Sequence, residues 1–259
     1  MKANRGIMST LLQGNCLELM KAVPTGSIDL IICDLPYGTT ACHWDSVIPF
    51  DSLWESYNRV IKETGAILLF GSEPFSTKLR IGNFENYKYD LYWKKSKCTG
   101  FQHAKNKPLK NLELISVFSK GTTVHATQSK TRMTYNPQGL QKVDKIVKTG
   151  ARKFGSIIGA RPSHKEEYVQ EYTNYPTMFL EYASVVKGQH PTQKPTDLLE
   201  YLIKTYSNEG DIVLDNCMGS GSTGVAAVQA GRLFVGMELD EDYFQIAKER
   251  ILKAEKERL

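Results

Sequence analysis

The sequence has no long hydrophobic run. Among its 259 residues, none of the apolar stretches reaches the roughly 18 consecutive residues that a membrane-spanning helix needs. Apolar residues are also scarce between Met1 and Thr10, which argues against a secretory signal. We therefore expect a cytoplasmic protein without a membrane partner, and its length suits one α/β domain carrying an insertion.

Cysteine is scarce and scattered. No two of the five cysteines form a Cys-x-x-Cys pair, which argues against both a structural zinc site and a disulfide framework. We expect reduced thiols. The cysteines are Cys16, Cys33, Cys42, Cys98 and Cys217.

Acidic residues are nearly absent from two stretches. Lys120–Lys165 contains ten Lys or Arg and one acid, Asp144, while Lys88–Lys110 contains seven lysines and only Asp90. Basic runs of this kind are often solvated faces. Aromatic residues between the charges favour a nucleic-acid polyanion instead, because bases can stack on them. The interleaved aromatics are Tyr92, Trp93, Phe101, Tyr135 and Phe154.

The first half of the chain alternates between strand and helix patterns. Short apolar runs predict buried strands at Ile28–Cys33, Ala66–Phe70 and Leu112–Phe118. Helical spacing predicts helices over Leu53–Lys62 and Phe75–Ile81.

The same alternation returns near the end of the chain. Thr196 is the predicted N-cap of a helix, and strands are predicted at Ile212–Leu214 and Leu233–Met237. Two more helices follow these strands, at Thr223–Ala230 and Asp242–Lys253. This rhythm predicts a three-layer α/β fold with a parallel sheet and right-handed crossovers. Residues 120–188 lack the rhythm, so we expect an insertion there within a domain formed by 1–119 and 189–259.

A glycine-rich loop lies between two of the predicted elements. Gly219, Gly221 and Gly224 form a Gly-x-Gly-x-x-Gly pattern between a strand and a helix, where a ligand can approach the backbone. Glu238 ends the next strand and suits ribose hydroxyls. Asp215 ends the preceding strand and suits a cationic ligand better than a pyrophosphate. Only 35 residues follow Gly224, so the unit is permuted and a dinucleotide oxidoreductase is disfavoured.

A second polar motif follows the first predicted strand. Asp34, Leu35, Pro36 and Tyr37 come directly after Cys33. Taken alone, this sequence favours an ordinary turn in which Asp34 accepts hydrogen bonds from its own backbone.

The ordered motifs resemble those of a known family, the DNA amino-methyltransferases that use S-adenosylmethionine. The likeness is to the permuted class that methylates adenine N6 or cytosine N4. It covers about residues 10–255 and is weakest over 120–188. It implies a Rossmann-like methyltransferase sheet with a circularly permuted motif order, and a target-recognition region at 120–188. The matching segments are Asp34-Leu35-Pro36-Tyr37, the basic middle, His190-Pro191-Thr192-Gln193-Lys194-Pro195, and Asp215 to Gly224.

The resemblance implies a catalytic role for the first motif. The Asp34 carboxylate and the Leu35 carbonyl would accept the two N–H groups of an extruded base, and Asp34 would take up the leaving proton. Pro36 would stiffen the turn and Tyr37 would stack on the base. The family has proline where this chain has Leu35; leucine retains the carbonyl and loses the fixed φ of proline.

The resemblance also implies contacts with S-adenosylmethionine and with DNA. For Asn15 and Cys16, a turn before a helix that starts at Leu17 is an equally good interpretation. In the insertion, Lys142, Lys145 and Lys148 are the candidate DNA contacts. The implied cofactor contacts are Asn15, Cys16, Asp34, Gln193, Lys194, Asp215, Cys217, Met218, Gly219, Ser220, Gly221, Ser222 and Glu238.

The expected reaction is site-specific methylation of adenine N6 in duplex DNA, with cytosine N4 as the alternative target. None of the ten prolines precedes a cysteine, which argues against a covalent cytosine-ring methylase. A non-catalytic DNA-binding module would be expected to lack Asp34 or the glycines, and a methylase of RNA or protein amines has less use for the basic insertion. A homodimer and a cognate restriction endonuclease are further expectations from the family.

Overall fold

The computed structural model describes residues 8–38, 47–124, 130–148, 167–185 and 193–258. The chain forms two units, one made of Met1–Asn136 with Met178–Leu259 and the other of Pro137–Thr177. None of the helices within the described ranges is long and apolar enough to cross a bilayer.

The elements follow one another in the chain order that the sequence predicts, with additional strands. The strands are β1 (Ser9–Gln13), β2 (Ile28–Cys33), β3 (Ile61–Gly71), β4 (Tyr87–Thr99), β5 (Lys110–Phe118), β6 (Gln141–Lys148), β7 (Glu167–Thr173), β8 (Phe179–Tyr182), β9 (Ile212–Asp215) and β10 (Leu233–Glu238). The helices are α1 (Cys16–Met20), α2 (Phe50–Val60), α3 (Phe75–Gly82), α4 (Thr196–Tyr206), α5 (Ser222–Gln229) and α6 (Glu241–Arg258).

The larger unit is built on an eight-stranded sheet in the order β1-β10-β9-β2-β3-β5-β4-β8. The strands from β1 to β3 in this order are parallel, as predicted. The prediction of an all-parallel sheet is wrong for β5, which is antiparallel to both β3 and β4. The reason is the connection: a direct turn, rather than a crossover helix, joins β4 to β5, and such a turn connects antiparallel strands.

Helices cover both faces of this sheet, which confirms the three-layer α/β architecture. Alternate residues of β2 point to opposite faces. Leu30 and Ile32 pack in the cluster that includes α4, α5 and α6. Ile31 and Cys33 pack in the cluster that includes α1, α2 and α3. Apolar residues on both faces of β2 therefore explain why the strand reads as a continuous apolar run.

Of the predicted helix boundaries that differ from the observed ones, two have a clear structural cause. The helix predicted over Leu53–Lys62 ends at Val60, because Ile61 is extended and pairs with β2 in the sheet. Thr196 is not the N-cap of α4. Pro195 occupies the N-cap position without a side-chain hydrogen bond, and Thr196 is the first helical residue.

Part of the predicted insertion belongs to the larger unit. Met133 is buried in its core, and the Thr134 backbone N–H donates to the Thr64 carbonyl at 2.9 Å. The smaller unit contains the antiparallel pair of β6 and β7, whose residues are mostly exposed. Asp144 adopts a positive φ of 44° where the register shifts between Lys142 and Lys145.

The carboxyl ends of three neighbouring strands bring the predicted polar motifs together. Asp34 follows β2 directly, Asp215 ends β9 and Glu238 ends β10. From β2 the chain continues to β3 on one side, whereas from β9 it continues to β10 on the other. In α/β sheets, ligands bind in the crevice where the strand order reverses in this way.

Candidate active site

A cavity of about 670 Å³ opens at this reversal point. Its size lies within the range of small-molecule and cofactor sites. Among the predicted site residues of the larger unit, only Gly221 does not line it. The residues that do are Asn15, Cys16, Asp34, Leu35, Pro36, Tyr37, Gln193, Lys194, Asp215, Cys217, Met218, Gly219, Ser220, Ser222 and Glu238.

The Asp34 carboxylate is the polar centre of the cavity wall. Its Oδ1 accepts a hydrogen bond from the Tyr37 hydroxyl at 2.7 Å, and its Oδ2 pairs with the Lys194 ammonium. A carboxylate offers about four lone-pair positions, so the two donors leave room for a third. Asp34 is therefore held in place from both sides and keeps acceptor capacity toward the cavity.

Lys194 is held by two carboxylates. Besides Asp34, its Nζ lies 3.1 Å from Glu113 Oε1 and 5.0 Å from the centre of the Phe70 ring. Burial lowers the pKa of Lys194, but the charges of Asp34 and Glu113 outweigh this and raise it. Lys194 is therefore a buried ammonium group that bridges the two acids.

Glu113 is a site residue that the sequence interpretation missed. It is 7% exposed on β5, and its second oxygen pairs with Lys95 of β4. Burial raises the pKa of Glu113, yet the two lysines outweigh this and lower it. An acid between the apolar residues Leu112 and Leu114 of a predicted buried strand was the signal in the sequence. Its partners could not be deduced, because the pairing of β5 with β4 was not predicted.

The Tyr37 ring is fixed as well. It packs against Phe75 with the ring centres 4.7 Å apart. Burial, followed by the charges of Asp34 and Glu113, raises the pKa of Tyr37 well above its ordinary value. Tyr37 therefore keeps its proton, and its hydroxyl donates a hydrogen bond to Asp34. The preceding Leu35 is buried at 3% exposure and also lines the cavity.

The glycine loop is shaped by positive φ angles and by packing on α6. Gly219 and Gly221 have φ values of 53° and 79°, a region that favours glycine. A Cβ on Gly221 would lie 2.9 Å from the Cα of Ala247, so this residue sets the close approach of the loop to α6. Arg250 of the same helix donates to the Ser220 hydroxyl at 2.9 Å.

Two buried carboxylates flank the glycine loop. Burial raises the pKa of Asp215 to about 6, and its Oδ1 accepts from the Cys217 backbone N–H at 3.1 Å. Glu238 accepts from the backbone N–H groups of Gly219 at 2.7 Å and Asp240 at 2.9 Å. Burial raises the pKa of Glu238 too. The pair gives this end of the cavity a strong acceptor character.

Asn15 and Cys16 are compatible both with a turn before a helix and with contacts to a cofactor. Asn15 is the N-cap of α1, and its Oδ1 accepts from the Leu17 backbone N–H at 2.9 Å. Cys16 has a pKa of about 7, lowered chiefly by a hydrogen bond with Cys217, and both thiols line the cavity. The four cysteines in the described part of the chain are all free.

The far end of the cavity is formed by β4 and β5, which the sequence interpretation did not assign to the site. Trp93, Lys97, Thr99, Lys110 and Leu112 line it there. With Lys95, the lining residues of β4 are spaced two apart, so they share one face of the strand.

The cavity does not include every residue of the predicted motifs. His190, Pro191 and Thr192 of the second motif lie outside the described residues. Lys142, Lys145 and Lys148 lie on β6, in the smaller unit.

Comparison with known proteins identifies the family. A family model described as DNA methylase, of the N6/N4 type, matches residues 28–249. The chain is 27% identical over 248 residues to the Type II methyltransferase M1.MboII of Moraxella bovis, which covers 89% of this chain and 92% of that protein. It is 28% identical over 262 residues to the DNA adenine methyltransferase YhdJ of Escherichia coli (strain K12). This match covers 93% of this chain and 82% of YhdJ.

Solved structures share the fold. The M1.HpyAVI–SAM complex has a TM-score of 0.62 and 24% identity, with 94% of this chain and 100% of that chain covered. The cytosine-N4-specific PvuII DNA methyltransferase has a TM-score of 0.65 and 15% identity, with 96% and 91% covered. The resemblance predicted from the motifs is confirmed, and because the family model spans most of the sequence, the chain belongs to the N6/N4 family of DNA methylases.

Proposed function

We propose that the protein transfers the methyl group of S-adenosylmethionine to the N6 amine of adenine at a specific site in duplex DNA. The observation that carries this proposal is the shared cavity. The Asp34–Tyr37 motif and the glycine loop line the same space at neighbouring strand ends. A base amine and a methyl donor bound to the two motifs would therefore meet in one cavity.

The residues at the glycine-loop end fit S-adenosylmethionine. Asp215 offers a carboxylate for its ammonium group, and Glu238 offers acceptors for its ribose hydroxyls. Gly219 allows close approach of the ligand to the backbone. Asn15 and Gln193 line the same cavity. When bound, the cofactor supplies an electrophilic methyl group on its sulfonium.

The Asp34 end fits an extruded base. The nitrogen lone pair of an exocyclic amine is delocalised into the ring, so the amine is a poor nucleophile. Hydrogen bonds from its two N–H groups to the Asp34 carboxylate and the Leu35 carbonyl would turn the lone pair toward the methyl group. Asp34 would accept the leaving proton, directly or through water. Tyr37, held against Phe75, would stack on the base.

Adenine is the proposed target because the motif begins with Asp34. The adenine branch of the family favours aspartate at this position and the cytosine branch favours serine. The similarity to YhdJ, which is named an adenine methyltransferase, supports the same choice. The second candidate is cytosine N4, because PvuII methyltransferase, named as specific for that amine, shares the fold.

The proposal is tested by identifying the product. Duplex DNA, RNA and protein are each incubated with the chain and labelled S-adenosylmethionine, and the nucleosides of labelled DNA are separated by mass spectrometry. We expect N6-methyladenine, from duplex DNA. N4-methylcytosine as the sole product would overturn the choice of base, and transfer only to RNA or protein would overturn the substrate class.

Cofactor binding should depend on pH through Asp215. Its pKa of about 6 means that the carboxyl group is neutral below that pH, when it no longer attracts an ammonium group. Affinity for S-adenosylmethionine should therefore fall as the pH decreases below about 6, by at most about tenfold per pH unit. Calorimetry between about pH 7.5 and about pH 5 measures it. Asp215→Asn should bind weakly and lose this dependence; an equal slope in the variant would exclude Asp215.

The smaller unit is proposed to contribute to DNA binding within a target-recognition region at 120–188. Lys142, Lys145 and Lys148 are all exposed on β6. Lys142 lies 3.1 Å from Asp144, and Lys148 lies 3.8 Å from Glu167. We therefore expect Lys145 to contribute most. We also propose a homodimer, a cytoplasmic location and a cognate restriction endonuclease. The endonuclease is supported by the name of the relative M1.MboII, a Type II methyltransferase.

A further inference from the structure

The turn between β4 and β5, together with the strand ends beside it, carries an excess of positive charge. Of the lysines in Lys88–Lys110, Lys94 pairs with Glu181 and Lys95 with Glu113. Four others lie at the end of β4, in the turn or at the start of β5, all exposed, and none of them has an ion pair with an acid in the described part of the chain. These four are Lys97, Lys105, Lys107 and Lys110.

The turn is an ordered structure rather than a loose loop. Residues Phe101–His103 form a short helical turn after Gly100, which has a φ of 89°. The Asn106 and Lys107 backbone N–H groups both donate to the His103 carbonyl, at 2.8 and 3.1 Å. The lysines are therefore presented on a backbone that is held by its own hydrogen bonds.

Two lysines of this charged segment line the active-site cavity. Lys97 and Lys110 line the far end of the cavity that Asp34 and Tyr37 also line. Lys110 donates to the Ser72 hydroxyl at 3.3 Å, and Ser72 lines the cavity as well. A nucleotide whose base reaches Asp34 brings its phosphates to the same cavity wall, where ammonium groups can hold them.

An aromatic side chain stands on the same turn. Phe101 is 68% exposed. A single exposed apolar residue is common on protein surfaces and by itself indicates nothing. Here the exposed ring lies beside four lysines that have no ion pair with an acid among the described residues. Extruding a base leaves a gap in the stack, and apolar side chains can occupy such gaps between base steps.

We propose that the β4–β5 turn binds the DNA duplex at the extruded nucleotide. Lys97 and Lys110 hold the phosphates on either side of it, and Lys105 and Lys107 contact the backbone farther out. Phe101 packs against the base pair next to the gap. The proposal rests on the DNA substrate of the family and deepens the proposed function, since it assigns a duplex-binding surface outside the smaller unit.

The lysines are tested by the salt dependence of binding. We expect Lys97→Gln/Lys110→Gln to reduce the slope of log affinity against log salt by about two units. Affinity for duplex DNA should fall about 50-fold at roughly 0.1 M salt and converge with the unaltered chain near roughly 1 M. A charge-matched control is Lys78→Gln/Lys94→Gln, which changes two other exposed lysines and should leave the slope unaltered.

Phe101 is tested by single-turnover methylation of DNA that contains the target site. Phe101→Ala should leave the salt slope unchanged and slow methyl transfer about tenfold. Most of the lost rate should return when the target base is mismatched and therefore already unstacked. The control is Phe84→Ala, because Phe84 is equally exposed, at 72%, and precedes the opposite end of β4.

The outcomes separate this proposal from the proposed function. Methyl transfer by the unaltered chain tests the function alone, and unchanged cofactor affinity shows that each variant is folded. If Lys97→Gln/Lys110→Gln has the same salt slope as its control, the duplex-binding surface is overturned. It is also overturned if the variant loses affinity for RNA but not for duplex DNA. The contribution of the smaller unit to DNA binding is measured separately with the triple variant Lys142→Gln/Lys145→Gln/Lys148→Gln. We expect this variant to reduce the salt slope by up to about three units.

Discussion

An Asp34→Ala variant is expected to bind S-adenosylmethionine almost normally and to transfer no measurable methyl group to DNA. The loss removes both the acceptor that orients the amine and the group that takes its proton. Effects of this kind each reach two to four orders of magnitude, so we expect a fall in turnover of at least about a thousandfold. Cofactor affinity should change by less than about tenfold, or 1.4 kcal/mol, because Asp215 and Glu238 are untouched.

The structure makes this variant a clean test. Without Asp34, the buried Lys194 ammonium still has Glu113 at 3.1 Å, so no isolated charge is left in the interior. The variant should therefore fold. Asp34→Asn keeps one oxygen acceptor and loses the negative charge, so its turnover should lie between those of the alanine variant and the unaltered chain.

Asp51→Asn, at an exposed acid in the first turn of α2, is the matched control and should be fully active. The measurement is single-turnover transfer of labelled methyl to duplex DNA, with calorimetry of the cofactor alongside. Turnover of Asp34→Ala within an order of magnitude of the unaltered chain would remove Asp34 from its catalytic role.

The part of the site that sequence alone could predict depends on strand ends. Asp34, Asp215 and Glu238 each follow or end a short apolar run, and parallel strands bring their carboxyl ends to one edge of a sheet. Local pattern and fold class were therefore sufficient to place these three side chains together. The same logic applies to the glycine loop, which lies between a strand and a helix wherever the sheet is placed.

The rest of the site depends on pairing that local pattern does not determine. Glu113 meets Lys95 only because β5 runs antiparallel to β4, with Trp93 opposite Glu113. β4 ends in a lysine-rich segment that resembles a solvated loop, so the strand itself was not predicted. The same segment contains Lys97 and Lys110, which line the cavity because of the hairpin and not because of their spacing in the sequence.

Glu238 is the second residue at which we expect a large effect, this time on cofactor binding. Its carboxylate accepts from the Gly219 and Asp240 backbone N–H groups and lines the cavity where ribose hydroxyls would bind. Glu238→Ala removes acceptors for both partners, so affinity for S-adenosylmethionine should fall by about 2 to 3 kcal/mol, or roughly 30- to 150-fold.

The glutamine variant distinguishes two roles for this carboxylate. If Glu238 only accepted from ribose hydroxyls, Glu238→Gln would keep an oxygen acceptor and lose little affinity. Because both carboxylate oxygens accept from backbone N–H groups, the amide nitrogen of glutamine must face one of these donors. We therefore expect Glu238→Gln to bind the cofactor nearly as weakly as Glu238→Ala, with Glu241→Gln, at an exposed acid on α6, as the control.

A cofactor analogue without the ribose 2′-hydroxyl completes this test. If Glu238 binds that hydroxyl, the losses caused by the analogue and by Glu238→Ala should not add, because each removes the same hydrogen bond. Calorimetry of the four combinations gives the coupling energy, for which we expect about 1 to 2 kcal/mol. Fully additive losses would mean that Glu238 acts on the cofactor only through Gly219, by holding the glycine loop against the end of β10.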